Sequence, residues 1–177
     1  MFNDDVDTKE TVVLVLETPE GRITKTIVWD NLVTDAGDRY YAELAVIGFQ
    51  GSGSPTNSFQ YLELGTAGNT PTKSSDRSDV TSKVSSSIKV VSSGYPTTND
   101  TDTLNTGAGV DIISWKFEYG TAEANASGID RCIITNGPSP GASEAVLNYG
   151  DSFTGGSFTK TSNDLLTVYV NHRLNGV

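Results

Sequence analysis

The amino-acid sequence predicts a mainly β protein: two antiparallel sheets packed face to face, with one short α-helix. Three observations point there. Thr, Ser and Gly number 22, 19 and 18, one third of the 177 residues, and such residues suit strands and turns better than long helices. Apolar and polar residues alternate in many short segments, the period of a half-buried strand. Only one segment repeats apolar residues at helical spacing.

Residues 11–18 (TVVLVLET) are apolar and β-branched. Residues 22–29 alternate, with Ile23, Lys25, Ile27 and Trp29 on one side and Thr24, Thr26 and Val28 on the other. Pro19-Glu20-Gly21 between them is turn chemistry, so the two runs form a hairpin. Val33, Ala36, Tyr40, Leu44 and Ile47 then recur at three- and four-residue steps, one face of a helix. Thr34 or Asp35 is placed to cap its start and Gly48 to end it. A loop over residues 50–58 (QGSGSPTNS) leads to a strand at 59–64 (FQYLEL).

Residues 67–79 (AGNTPTKSSDRSD) are polar and are expected to wrap over the surface, followed by a helical turn at 80–84 and a strand at 88–91. Residues 94–109 form a second long polar loop. The strand at 111–119 has the clearest alternation, with Ile113, Trp115, Phe117 and Tyr119 on one face. Further strands fall at 129–135, 145–149, 157–161 and 165–174, with a Pro/Gly break at 137–141 and a Gly-rich turn at Gly155-Gly156. About eight or nine strands with alternating inward faces fit an antiparallel β-sandwich, jelly-roll or immunoglobulin-like; a closed barrel is the alternative. Residues 1–10 read as an acidic N-terminal arm, carrying Asp4, Asp5, Asp7 and Glu10, and residues 11–177 as a single domain.

Composition also excludes functions. A net charge of −10 and a pI near 4.4 argue against a nucleic-acid binder, which needs a basic face. No apolar run has the length of a membrane span, and the start MFNDDVDTKE lacks the pattern of a secretory signal. The single cysteine, Cys132, rules out an intrachain disulfide framework. No cofactor is expected.

The search for chemistry finds little. No Gly-x-Ser-x-Gly elbow is present, and His172 is the only histidine, placed on the Leu166/Val168/Val170 side of the closing strand. It reads as a structural or rim residue, and Cys132, inside a strand, as a buried inert thiol. Gly107-Ala108-Gly109 precedes a strand rather than following one, so it is a turn and not a dinucleotide fingerprint. Asp100, Asp102 and Asn105 form a candidate Ca²⁺ loop without EF-hand spacing; the alternative is a solvated polar loop. Trp29, Tyr40, Tyr41, Trp115, Phe117 and Tyr119 are expected in the core. A carbohydrate- or receptor-binding module would instead expose Trp115 and Tyr119 as a platform. A hydrolase would need two close carboxylates with raised pKa values.

Three stretches occur in a familiar order. Asn31-Leu32-Val33-Thr34-Asp35-Ala36-Gly37 opens the helix. Tyr61-Leu62-Glu63-Leu64-Gly65-Thr66-Ala67-Gly68-Asn69-Thr70-Pro71 follows, with Ala67 interrupting the usual Gly-Thr-Gly. Phe158-Thr159-Lys160-Thr161 and Asp164-Leu165-Leu166-Thr167-Val168-Tyr169 complete the set. Together they resemble a group of tailed-bacteriophage virion proteins, accessory parts of head or tail that carry no catalytic residues. The resemblance implies a non-enzymatic structural protein of the virion. A capsid-decorating (cement) protein bound to the major capsid protein is the first expectation and a tail, neck or fibre-associated protein the second. A homo-oligomer is expected. The acidic arm, about 33 Å long when extended, either lies on a basic patch of a neighbouring subunit or is a disordered tail.

Overall fold

Strands and one helix succeed one another in a computed structural model that describes residues 10–51, 53–56, 58–138, 145–151 and 156–173. The order begins with β1 (Glu10–Glu17), β2 (Ile23–Val33), α1 (Asp35–Gln50) and β3 (Tyr61–Ala67). A 3-10 turn (Arg77–Asp79) and three short strands follow, β4 (Ser82–Lys83), β5 (Lys89–Val90) and β6 (Thr97–Thr98). Then come β7 (Ile112–Tyr119), β8 (Ala126–Ile129), β9 (Arg131–Thr135), β10 (Val146–Asp151), β11 (Phe158–Lys160) and β12 (Leu165–Arg173).

All strand pairings among the described residues are antiparallel. One sheet runs β2-β1-β12-β7-β6, and the other runs β10-β9-β3 with β4 and β5 both on β3. β2 joins them. Its residues from Ile23 to Asn31 pair with β1, and Leu32 and Val33 then pair with Tyr149 and Asn148 of β10. A strand that passes from one sheet to the other makes the corner of a sandwich. Between the sheets lies one apolar cluster. Val12, Leu14, Trp115, Phe117, Val168 and Val170 enter it from the first sheet, and Leu62, Leu64, Cys132, Ile134 and Leu147 from the second. The mainly β sandwich with one helix is therefore the architecture, and the strongest alternating segment, β7, puts Trp115, Phe117 and Tyr119 in the core as its period requires.

The outer faces of the sheets are covered too. On the first, Val13, Val15 and Tyr169 are fully buried beneath Leu104. On the second, Val80, Ile133, Val146 and Tyr149 form a further cluster. The covers are the two long polar loops. The stretch 67–79, expected to wrap over the surface, instead drives Arg77 into the fold: it is 0% exposed. Its Nε donates to Glu63 Oε2 at 2.8 Å and its Nη1 to the carbonyl of Gly137 at 3.3 Å. Glu63 points outward because its neighbours Leu62 and Leu64 point inward, so the arginine answers a carboxylate that the strand period forces onto the outer face. The loop 94–109 is held similarly. Asn105 and Asn171 exchange hydrogen bonds of 2.9 and 2.8 Å, and Ser114 Oγ donates to Asn171 Oδ1 at 2.7 Å. Gly107 lies so close that a Cβ there would sit 2.6 Å from Asn171 Nδ2.

Several boundaries differ from expectation. Glu10 is the first residue of β1, opposite His172 and Asn31, rather than the last of an arm. The helical turn expected at 80–84 is a 3-10 turn at Arg77–Asp79 followed by β4. The run 129–135 is broken at Asp130, whose N–H donates to the Gly65 carbonyl at 3.0 Å, so that β8 can pair with β11 while β9 stays between β3 and β10.

The buried Arg77–Glu63 pair generates a prediction. Arg77→Met leaves an uncompensated buried carboxylate and should cost about 3–5 kcal/mol in urea unfolding. Adding Glu63→Leu should recover most of that loss; a double variant no more stable than the single one would refute this account of the loop.

Candidate functional site

The helix is the feature that the sandwich does not account for. Its start is welded to the second sheet. Thr34 is the N-cap: its Oγ accepts from Gly37 N at 3.2 Å and donates to the carbonyl of Val146. Gly37 is obligatory, since a Cβ there would meet Leu147 O at 2.2 Å and Val33 Cγ1 at 2.6 Å. The first half of α1 then closes one end of the core. Tyr40 packs edge-on against Phe59 with centroids 5.3 Å apart, and Tyr41 packs edge-on against Trp115 at 6.4 Å and His172 at 5.7 Å.

The second half lies outside the core. Leu44, on the face that sequence periodicity turns inward, is 38% exposed, and Val46 is 54% exposed. Ala42 and Ala45 are exposed as well. The helix runs past Gly48 to Gly51, which takes the left-handed conformation (φ 70°) and donates its N–H to Ile47 O at 2.8 Å. An apolar cleft flanks each side of this segment. One, of about 450 Å³, lies between Val46, Ile47 and the strap around Thr56. The other, of about 390 Å³, lies between Leu44, Tyr40, Pro96 and Ile113. The strap is fixed to the helix by Glu43, which accepts from Thr56 N at 2.6 Å, Thr56 Oγ at 2.8 Å and Arg39 Nε at 2.7 Å. The Thr56 amide, with Arg39 beside it, holds the Glu43 carboxyl down at about 2. Leu44 and Val46 thus stand on a ridge between two grooves.

The residues singled out in the sequence fall elsewhere. His172 is buried and shares a hydrogen bond with Tyr41. Burial alone lowers its pKa to about 3, so it is neutral and structural rather than a rim residue. Cys132 is a buried free thiol, as expected. Trp115 and Tyr119 are 1% and 2% exposed, which removes the sugar platform they would have formed. The side chain of Trp29 lies outside the described residues, as do Asp4, Asp5 and Asp7.

Asp100, Asp102 and Asn105 do come together, but their oxygens are already engaged. Asp100 accepts from Tyr95 Oη at 2.9 Å, from Asp102 N at 3.0 Å and from Asn105 Nδ2 at 2.8 Å. Asp102 accepts from Tyr169 Oη at 2.6 Å, Lys116 Nζ at 3.0 Å and Leu104 N at 3.1 Å. Burial works against the charge on Asp102, yet these donors outweigh it and hold its carboxyl below the usual range. Lys116, from β7, is thus the charge beside Asp102. Among the described residues no group of three or more His, Cys, Asp or Glu is placed to hold a metal. Among the described residues, hydrogen bonds also hold the carboxyls of Asp79, Glu123 and Asp164 below their usual range.

No helix among the described residues is long and apolar enough to cross a membrane. No family model matches the chain, and no curated protein or solved structure matches it either. The exposed half of α1 was missed by sequence reasoning because periodicity marks an apolar face without saying whether anything covers it; the signal available was Val46, an apolar residue off that face.

The neutral His172 sets a pH dependence. The unfolded chain takes up a proton at this side chain below about 6.5, its ordinary value, whereas the folded protein does so only near 3. Stability therefore falls as pH drops through that window, by about 0.7 kcal/mol per pH unit from this group at pH 6.5, steepening towards about 1.4 by pH 5. Unfolding free energies between pH 6.5 and 5 should show that slope, and His172→Phe should flatten it; equal slopes in the two proteins would contradict the assignment.

Proposed function

We propose that this chain is a non-enzymatic structural protein of a tailed-phage particle, a capsid-decorating (cement) protein that binds the assembled shell. The observation that carries the reading is the exposed apolar half of α1, seated between two grooves. Exposed apolar surface on a rigid frame marks a contact site. The three stretches that resemble virion proteins support the same reading. They fall at joints of the frame: the β2–α1 corner with its Thr34 cap and Gly37 contact, β3 with its loop, and β11 with β12. The first of them sets how the sandwich presents the helix.

In this role the protein holds a neighbour through area and shape. Leu44 and Val46 would enter an apolar recess of the shell protein, and the Glu43–Thr56 strap keeps the groove beside them open. Rigidity at the contact lowers the ordering cost of binding.

The test is quantitative. Purified particles should contain the protein in hundreds of copies, in fixed ratio to the major capsid subunit. A count of about six to eighteen would move the assignment to tail or neck, by the symmetry of those parts, and absence from particles would end the reading. Val46→Glu should leave the melting temperature unchanged, since that side chain is more than half exposed, and weaken attachment to shells lacking the protein by about tenfold or more.

A further inference from the structure

Lys160 is a buried amine without a counter-ion. Its side chain enters from β11 and is 1% exposed. Among the described residues no carboxylate lies within ion-pair distance of its Nζ. Lys73, Lys89 and Lys116, by contrast, are each paired and partly open to solvent. Lys160 donates instead to two carbonyl oxygens, Gly120 O at 2.9 Å and Asn125 Oδ1 at 3.0 Å. Burial pushes its amine below the ordinary lysine value, against the more distant pull of Asp164 and Glu123. An amine held this way has a larger neutral, nucleophilic fraction.

The second of those oxygens belongs to an amide that is held in place. Asn125 Nδ2 donates to Thr121 O at 2.8 Å, which leaves the carbonyl end of the side chain to Lys160. The turn around it is fixed as well. Glu123 accepts from Gly120 N at 2.7 Å and from Lys89 Nζ at 2.7 Å. Ala124, 0% exposed, takes φ 53°, a left-handed conformation uncommon for a residue with a Cβ. Such strain persists only where the surroundings over-determine it. Cγ of Asn125 lies one bond beyond Oδ1, about 3–4 Å from Nζ and close to the separation of a near-attack arrangement. Asn125 is itself exposed, so water reaches the amide from the outer side.

We propose that Lys160 and Asn125 join in an intramolecular isopeptide bond. Nζ attacks Cγ; the Nζ–Cγ bond forms and the Cγ–Nδ2 bond breaks. Nδ2 takes up the proton that the amine gives up, relayed by water, and leaves as ammonia. No oxidant or co-reactant is consumed. The product ties β11 to the turn after β7, across a sequence separation of 35 residues. Among the described residues β11 otherwise pairs with β8 alone, in a two-stranded sheet, and such a ribbon is marginal by itself. The inference concerns the chain alone and stands whether or not the protein joins a particle.

The intact mass of the full chain, measured after denaturation, tests it. Wild type kept folded should be about 17 Da lighter than its sequence, through loss of ammonia. Digestion should yield one branched peptide linking Asn125 to Lys160, with no tryptic cut after Lys160. Asn125→Ala, at an exposed position, and Lys160→Arg should each keep the full mass of its own sequence. Wild type held in urea throughout should keep its full mass too, since the fold is what brings the pair together. Circular dichroism will confirm that the variants fold, and the wild-type mass decides the matter without them. A folded wild type at full mass after prolonged incubation would overturn the proposal. So would an ammonia loss that survives in Asn125→Ala or Lys160→Arg, which is ring closure at another asparagine.

Discussion

Strand alternation forces every second side chain away from the core, and in this protein the outward faces are not left to water. Glu63 on one sheet and Tyr169 and Asn171 on the other are buried. A buried polar group without a partner costs free energy on the scale of the whole stability of a domain this size. The long loops therefore have to bring partners with them. Arg77 arrives from the 67–79 loop to meet Glu63, and Asp102 and Asn105 arrive from the 94–109 loop to meet Tyr169, Lys116 and Asn171. These anchors make the loops part of the frame, giving a small sandwich four layers in cross-section where the loops cover it.

Rigid covers leave little of the molecule free for contact, and that confines the contact surfaces. Where the loops lie, the outer faces of the sheets are closed. Among the described residues the far half of α1 stays open, and it is held by the corner that β2 makes. The chain passes from β2 through the Thr34 cap into α1 within a few residues, with Gly37 pressed against the Leu147 carbonyl. Force applied to the helix is thus carried into both sheets at once.

Some of this could be read directly from residue order. β7 and the β1–β2 hairpin follow from alternation and one turn, and Thr34 follows from cap chemistry. The end of α1 does not. Gly48 and Gly51 are chemically identical, and only the backbone reveals that Gly51 takes φ 70° while the helix continues through Gly48. β12 reads as one-sided because Thr167, Tyr169 and Asn171 are polar or amphipathic, yet they are buried under a loop 60 to 70 positions away in sequence. The acidic loop read as a Ca²⁺ candidate for the same reason: the ammonium that neutralises Asp102 comes from β7, at a separation of 14 residues. Local patterns report propensity and period. Which distant charge satisfies a buried one is a property of the closed fold.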